Sequence, residues 1–453
     1  MKNNLNKLFL TFLLFAGVVL TTLGQVTTSS ISGKVLDEKK ESLTGATVVA
    51  KHIPTGTVYG TTVLSDGRYN ISGMRIGGPY EIEVSFIGYG AQKTNNLFLT
   101  VGEEATMNYT LTEKTTQIGD VVAVASRNQS FSSNRTGAQE VFTTEKIEKL
   151  PTINRSLSDY TKLTPMSSGG NFGGTSYRYN NVTVDGASFN NSFGLSSSLG
   201  ASGTEPISLE AIDQIQVMIA PYDVRNGAFT GAGINSVTKG GTNSWTGSAY
   251  YYFKSPSLEG LKQKTLTLDK AKYTYNQKGF SVGGPIIKNK LFLFINGEMD
   301  RKESPISWQP SPAKGQQGAG QSIVDVNTLQ TFSDYLVNKF NYNPGSYTTS
   351  SVPTKADRLT TRLDWNINSK NSLSIKYFYL KSFNTNMPSG SGATGGSRSP
   401  SADRIPFSSS YYRGNSNFNI IMADLNTTIN DKISNTLKIG YSALRDFRDM
   451  DGG

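Results

Sequence analysis

Few side chains in this sequence could carry out bond chemistry. There is one histidine, His52, and no cysteine, so no thiol nucleophile exists, and zinc chemistry, which gathers two or three His or acidic ligands around one ion, lacks its donors. His52 ends a strand-like run just before Pro54 and reads as a solvated surface residue. No pair of carboxylates can be assigned to one pocket, which makes an enzyme the class these residues fit least. The glycines from Gly227 to Gly233 invite a phosphate loop, but no Gly-Lys-Ser or Gly-Lys-Thr follows at the required spacing, and no strand, glycine turn, helix and downstream acid form a dinucleotide unit. No cofactor and no metal are therefore expected. The formal charge of +10 comes from lysines and arginines scattered through strand-like segments, a distribution that argues against nucleic acid. In an exported chain such an excess meets anionic lipid headgroups or an acidic ligand.

The residues that remain work through their backbone. Asp120-Val121-Val122-Ala123-Val124 is a short β-prone strip, and such a strip can join another strand edge to edge. It could equally be the first strand of the unit that follows, and the residues alone leave both readings open. The elements around it are mostly strands: 36% hydrophobic and 17% charged residues, with 22 Tyr, 22 Phe and 46 Gly, describe a mainly β protein. At the N-terminus Lys2 and Lys7 precede an apolar run from Leu8 to Leu20. That length suits a signal-peptide core of roughly 7–15 residues and falls short of the roughly 20 needed by a spanning helix. Residues 1–24 are expected to be a signal peptide, so any membrane crossing must be made by strands.

Residues 25–114 read as a small β-sandwich, with strands at Ile31 to Leu36, Thr47 to Lys51, Thr57 to Val63, Tyr69 to Ser72, Tyr80 to Phe86 and Met107 to Leu111. Asp66-Gly67 supplies a tight hairpin turn. The order Ile31-Ser32-Gly33-Lys34-Val35, Leu43-Thr44-Gly45-Ala46-Thr47-Val48, Ser65-Asp66-Gly67-Arg68-Tyr69 and Gly88-Tyr89 resembles the carboxypeptidase-regulatory-like domain that precedes the plug in many TonB-dependent receptors of the Bacteroidetes type. The strip in 115–126 resembles a TonB box, which implies a TonB-type periplasmic energy-coupling protein as partner.

Residues 127–241 mix short helices, at Thr143 to Leu150 and Asn154 to Leu163, with strands and dense Gly, Asn and Ser. Val182-Thr183-Val184-Asp185-Gly186 gives a strand and turn, Ser208 to Ile212 a turn of helix, and Ile215 to Ile219 a strand. With the stretch from Gly227 to Lys239, they resemble the plug of TonB-dependent receptors. The residues that carry the resemblance are Arg178, Asn180, Asn181, Asp185, Gly186, Gly227, Gly231, Gly233 and Asn235. Tyr177 to Ala187 and Ala220 to Arg225 narrow it to the Oar-like subgroup. The Arg-Gly pair often found early in such plugs is absent, and Tyr177-Arg178-Tyr179 stands near its place.

From 242 to 453 the pattern changes to long strands with period two. Leu363, Trp365 and Ile367 alternate with Arg362, Asp364 and Asn366, and Ile421, Ala423 and Leu425 with Met422, Asp424 and Asn426. A half-wet soluble sheet alternates in the same way, so connection lengths decide. About seven strands are joined alternately by tight turns, at 288–290, 368–371 and 430–432, and by long Gly-, Ser- and Asn-rich loops. One loop carries a helix from Val326 to Lys339. That alternation belongs to a transmembrane barrel with periplasmic turns and extracellular loops. About seven strands do not close such a barrel, which uses an even number from eight upward, so the expectation is the N-terminal part of a longer product. The resemblance implies about 22 strands, outer-membrane lipid around them and an extracellular ligand of unknown kind. A non-transporting adhesion barrel or a protein-export barrel of the Oar-like type is the alternative.

Overall fold

The computed structural model describes residues 26–114, 121–124, 138–152, 154–190, 200, 203–221, 226–258, 260, 262–263, 266–267, 273–388 and 398–450, with 121–124, 263, 266 and 267 as backbone. The signal segment, Asp120 and most of Ala220 to Arg225 lie outside these residues. The fold is mainly β.

The first unit comprises β1 (Ser29–Asp37), β2 (Thr47–His52), β3 (Thr57–Thr62), β4 (Arg68–Met74), β5 (Gly77–Ser85), β6 (Gln92–Leu99), β7 (Glu104–Thr106) and β8 (Tyr109–Leu111). Period-two alternation points Ile31, Val35, Val48, Ala50, Ile71, Ile82 and Val84 inward into one core between two sheets. Gly67 adopts φ +79° in the turn before β4. β6 escapes the sequence pattern because Gln92 to Asn96 are all polar and Asn96 sits at φ +60°, where the register against β5 shifts. A ninth strand, β9 (Val121–Val124), runs parallel to β6 with Gln92 opposite Val121 and Asn95 opposite Val124. It completes the order β3-β2-β5-β6-β9. The strip shows no partner in the sequence, but in the fold it has one.

The second unit is a five-stranded sheet of order β10-β15-β16-β13-β14. Its chain runs through β10 (Ala138–Thr143), α1 (Thr144–Lys149), α2 (Leu157–Thr161), a hairpin of β11 (Ser167–Ser168) and β12 (Asn171–Phe172), then β13 (Asn181–Val184), β14 (Ala187–Ser188), β15 (Ile212–Ala220) and β16 (Gly233–Thr238). Both helices are shorter than expected. Ser156 and Asp159 form a reciprocal cap that starts α2 at Leu157, whereas Thr143 offers α1 no side-chain cap.

The third unit is one antiparallel sheet in chain order: β17 (Thr246–Lys254), β20 (Thr274–Ile287), β21 (Leu291–Pro305), β24 (Ser351–Asn368), β25 (Asn371–Asn386), β26 (Tyr412–Asn430) and β27 (Ile433–Met450). β18 (Lys262–Gln263), β19 (Leu266–Thr267), β22 (Gln309–Ser311), β23 (Gln321–Asp325) and α3 (Val326–Phe340) belong to the long connections. The strands of this sheet from β20 onward run 14 to 19 residues, more than the roughly 9–11 that cross a bilayer. The sheet is inside out. Arg358, Arg362, Asp364, Lys376 and Asp424 are buried, while Tyr251, Trp365, Ile421 and Tyr441 are exposed. A water-soluble sheet would reverse this, so the alternation that was ambiguous in the sequence marks a lipid-facing surface.

The sandwich packs against the tight-turn end of the barrel sheet. Asn366 donates to Thr57 Oγ1 at 2.8 Å, Thr62 to Asp431 at 2.5 Å, and the Asn243 amide to the Pro54 carbonyl at 2.8 Å. Ile76 and Val101 join Val237 of the second unit in a small apolar contact. His52 is 4% exposed, which corrects the expectation of a solvated ring. It lies 4.8 Å from the Tyr80 ring and bonds Thr55 through Nδ1 at 2.7 Å. Burial, aided by the Arg75 charge, lowers its pKa to about 3. A depressed folded pKa means the neutral ring stabilises the sandwich fully above about pH 6.5 and progressively less as pH falls toward 3. The resonance of this single histidine should therefore show no titration between pH 8 and 5 by NMR; a midpoint near 6.5 would mean an open ring.

Candidate functional site

The second unit occupies the concave, polar face of the barrel sheet, and their interface is where the functional residues gather. Asp185-Gly186 is the two-residue turn between β13 and β14, with φ of +51° and +87°, the conformation that favours Asp-Gly in tight hairpins. The turn aims the Asp185 carboxylate at the barrel wall. It accepts from the Thr238 amide at 3.2 Å and from the Thr238 hydroxyl. Arg362 approaches at 3.8 Å and Lys376 at 3.7 Å, and Lys376 also pairs with Asp424 at 2.7 Å. Arg362 closes the ring by donating to the Thr238 carbonyl at 2.7 Å and pairing with Asp364 at 3.0 Å. Arg75 reaches in from the sandwich to the same Asp364, 3.1 Å away. One charge network thus joins all three units.

A second buried cluster lies along the wall. Arg358 pairs with Glu298 at 2.5 Å and Asp300 at 2.6 Å, and its Nε donates to the Glu205 carbonyl of the second unit at 2.6 Å. Ser208 donates to Glu298 at 2.8 Å, as does Tyr250 at 2.6 Å. Removal from water pushes the Glu205 carboxyl up to about 7 against the pull of Arg358. It also raises Asp213, which the 2.5 Å bond from Thr144 partly offsets. Farther along, Phe189 stands edge-on between Phe378 and Phe418, with centroids 5.5 and 5.3 Å away. The second unit and the barrel wall share one apolar core there.

Most residues singled out in the sequence meet inside the second unit. Asn180 accepts from the Ala232 amide and donates to the Gly170 carbonyl, both at 2.9 Å. Asn181 donates to the Gly227 carbonyl at 3.2 Å, and Asn235 accepts from Thr183 at 3.1 Å. Gly231 lies against Asn180, and a Cβ on Gly233 would stand 2.7 Å from the Phe229 ring. A side chain at either position would displace these neighbours. Arg178 is different: it is exposed on a 3-10 turn over the ring of its neighbour Tyr177. Val121 to Val124 lie on the sandwich, away from the barrel interface. The wall residues Arg358, Arg362, Lys376, Glu298 and Asp300 carry no motif, yet period-two charge on the inward face was their signal.

A lipid-facing sheet whose polar face packs against a separate folded unit defines an outer-membrane β-barrel protein. Residues 237–452 match an outer membrane beta barrel domain and residues 30–112 a carboxypeptidase regulatory-like domain. The TonB-dependent transporter Oar of Myxococcus xanthus is 29% identical over 151 residues, which are 31% of this chain and 14% of that protein. A probable TonB-dependent siderophore receptor, PirA of Acinetobacter baumannii, is 28% identical over 184 residues, 36% of this chain and 23% of that one. The chain thus matches less than a quarter of the length of either curated relative. Among solved structures, the outer membrane transporter YddB from Escherichia coli aligns with a TM-score of 0.47 at 13% identity, covering 69% of this chain and 40% of that one. The matched barrel domain is one of outer-membrane proteins, and with the N-terminal carboxypeptidase regulatory-like domain it makes the chain similar to TonB-dependent receptors.

Arg358→Ala should leave Glu298 and Asp300 buried without a cation and cost about 3–5 kcal/mol, read as a lowered thermal midpoint in detergent. Adding Glu298→Gln and Asp300→Asn should recover most of the loss; a wild-type midpoint for Arg358→Ala alone would show the cluster to be solvated.

Proposed function

We propose that this protein is a TonB-dependent transporter that moves a ligand across the outer membrane with energy delivered from the inner membrane. In this reading residues 1–24 are a signal peptide, 25–114 a periplasmic sandwich, 115–126 a linker with the coupling strip Asp120 to Val124, 127–241 a plug and 242–453 barrel. The observation that carries it is the seating of the second unit inside the concave face of the barrel sheet, as a sheet of its own held by buried ion pairs and the Phe189 contact. A unit attached in that way can be loosened without breaking the barrel's own ladders.

The outer membrane offers no ATP, and the chain carries no ATP motif, so uphill movement needs a mechanical input. Strand addition by a TonB-type protein at Val121 to Val124 would supply it. The long Gly-, Ser- and Asn-rich connections and α3 sit at the end opposite the sandwich, where an extracellular ligand arrives. No side chain is assigned a catalytic role.

Deleting 120–125 should abolish energised uptake and capture of the TonB periplasmic domain, with extracellular ligand binding retained. Undiminished uptake would instead favour an uncoupled adhesion or export barrel.

A further inference from the structure

A β-sheet with an open edge presents a row of unpaired backbone donors and acceptors, which another strand can complete. The larger sheet of the sandwich has two ends. At one, β3 faces the barrel, where Thr57 and Thr62 are bonded to Asn366 and Asp431. At the other, among the described residues, the outer edge of β6 is taken by β9 alone.

The seat has a defined register. Gln92, Lys93 and Thr94 pair with Val84, Glu83 and Ile82 of β5 on one side and with Val121, Val122 and Ala123 on the other. Asn95 pairs with Val124 and has no partner in the β5 register. At Asn96, with φ of +60°, the register against β5 shifts before resuming at Leu97. Among the described residues, the four of β9 lie along the first half of β6.

A strand in a sheet points alternate backbone groups to opposite edges. The pairing with β6 therefore uses one edge of β9 and leaves its other edge open among the described residues. We propose that the sandwich is part of the coupling-protein binding site: it holds Val121 to Val124 extended, so that a strand of the periplasmic partner adds to the outer edge of β9 as the sixth strand of β3-β2-β5-β6-β9. Holding the strip extended removes ordering entropy that a free peptide would lose on binding. This rests on the reading of Val121 to Val124 as the coupling strip and gives the sandwich a role in it.

The test uses the full chain in detergent and the purified periplasmic domain of the TonB protein from the same genome. Asn95→Pro places a proline at the position that registers with Val124 and with no residue of β5, and should weaken partner binding tenfold or more, with the unshifted His52 resonance confirming an intact sandwich. Lys93→Cys with Val122→Cys, the only cysteines in the chain, locks the strip to β6, and the oxidised form should bind the partner at least as tightly as the reduced one. Loss of binding on oxidation, restored by reductant, would overturn the proposal by showing that β6 hides the strip. Unchanged affinity in Asn95→Pro would overturn it by showing that the sandwich adds nothing. Retained binding after deletion of 120–125 would instead remove the coupling assignment itself.

Discussion

The structure depends on how buried charge is neutralised across a surface that is not covalent. Asp185 has no exposed surface, and an isolated carboxylate in that position would cost far more than a hydrogen bond returns. Its compensation comes from Thr238 within its own unit and from Arg362 and Lys376 of the wall. Neither surface is stable alone with these groups facing apolar surroundings, so each unit supplies what the other lacks. Buried pairs of this kind add little net stability over an apolar contact, but they penalise every wrong alignment. They set position, and the shared apolar core around Phe189 sets adhesion.

The same logic explains what could be read in the sequence. Strands, tight turns and the lipid-facing alternation were legible because they are local: a period of two and an Asp-Gly turn need no distant partner. Asp185 and Gly186 were legible for that reason, although the sequence could not say which cations Asp185 would meet. Arg358 and Arg362 looked like ordinary polar-face residues, and their pairing with Glu298, Asp300 and Asp185 is decided by strand order and by the unit in the lumen. β6 was missed because its polar run contains a turn residue in mid-strand. His52 was misplaced because its burial comes from Tyr80, across the sheet and outside any local window. Arg178 was singled out by its neighbours' resemblance, and it faces solvent.

The interface also explains the mixture of residue types on the inward wall. Toward the tight turns the facing side chains are charged and meet the polar end of the second unit at Asp185 and Thr238. On β25 and β26 they also include Phe378, Phe418, Ile420 and Met422, level with Arg358 to Arg362 of β24 and in one core with Phe189. A purely polar wall would leave the second unit hydrated and loose. A purely apolar wall would bind it without register.

The order of the second sheet bears on how a load would travel. Among the described residues β10 is an edge strand, paired with β15 alone, and it is the first described element after the strip at Val121 to Val124. Tension applied ahead of Ala138 would meet that ladder before the others of this sheet. Because β10 is peripheral, it can peel away while β15, β16 and β13 stay zipped and Asp185 stays in its socket. If the proposed coupling strip is pulled, the ladder at the β10 edge is the part of this sheet that yields first, and Asp185 is the part that holds.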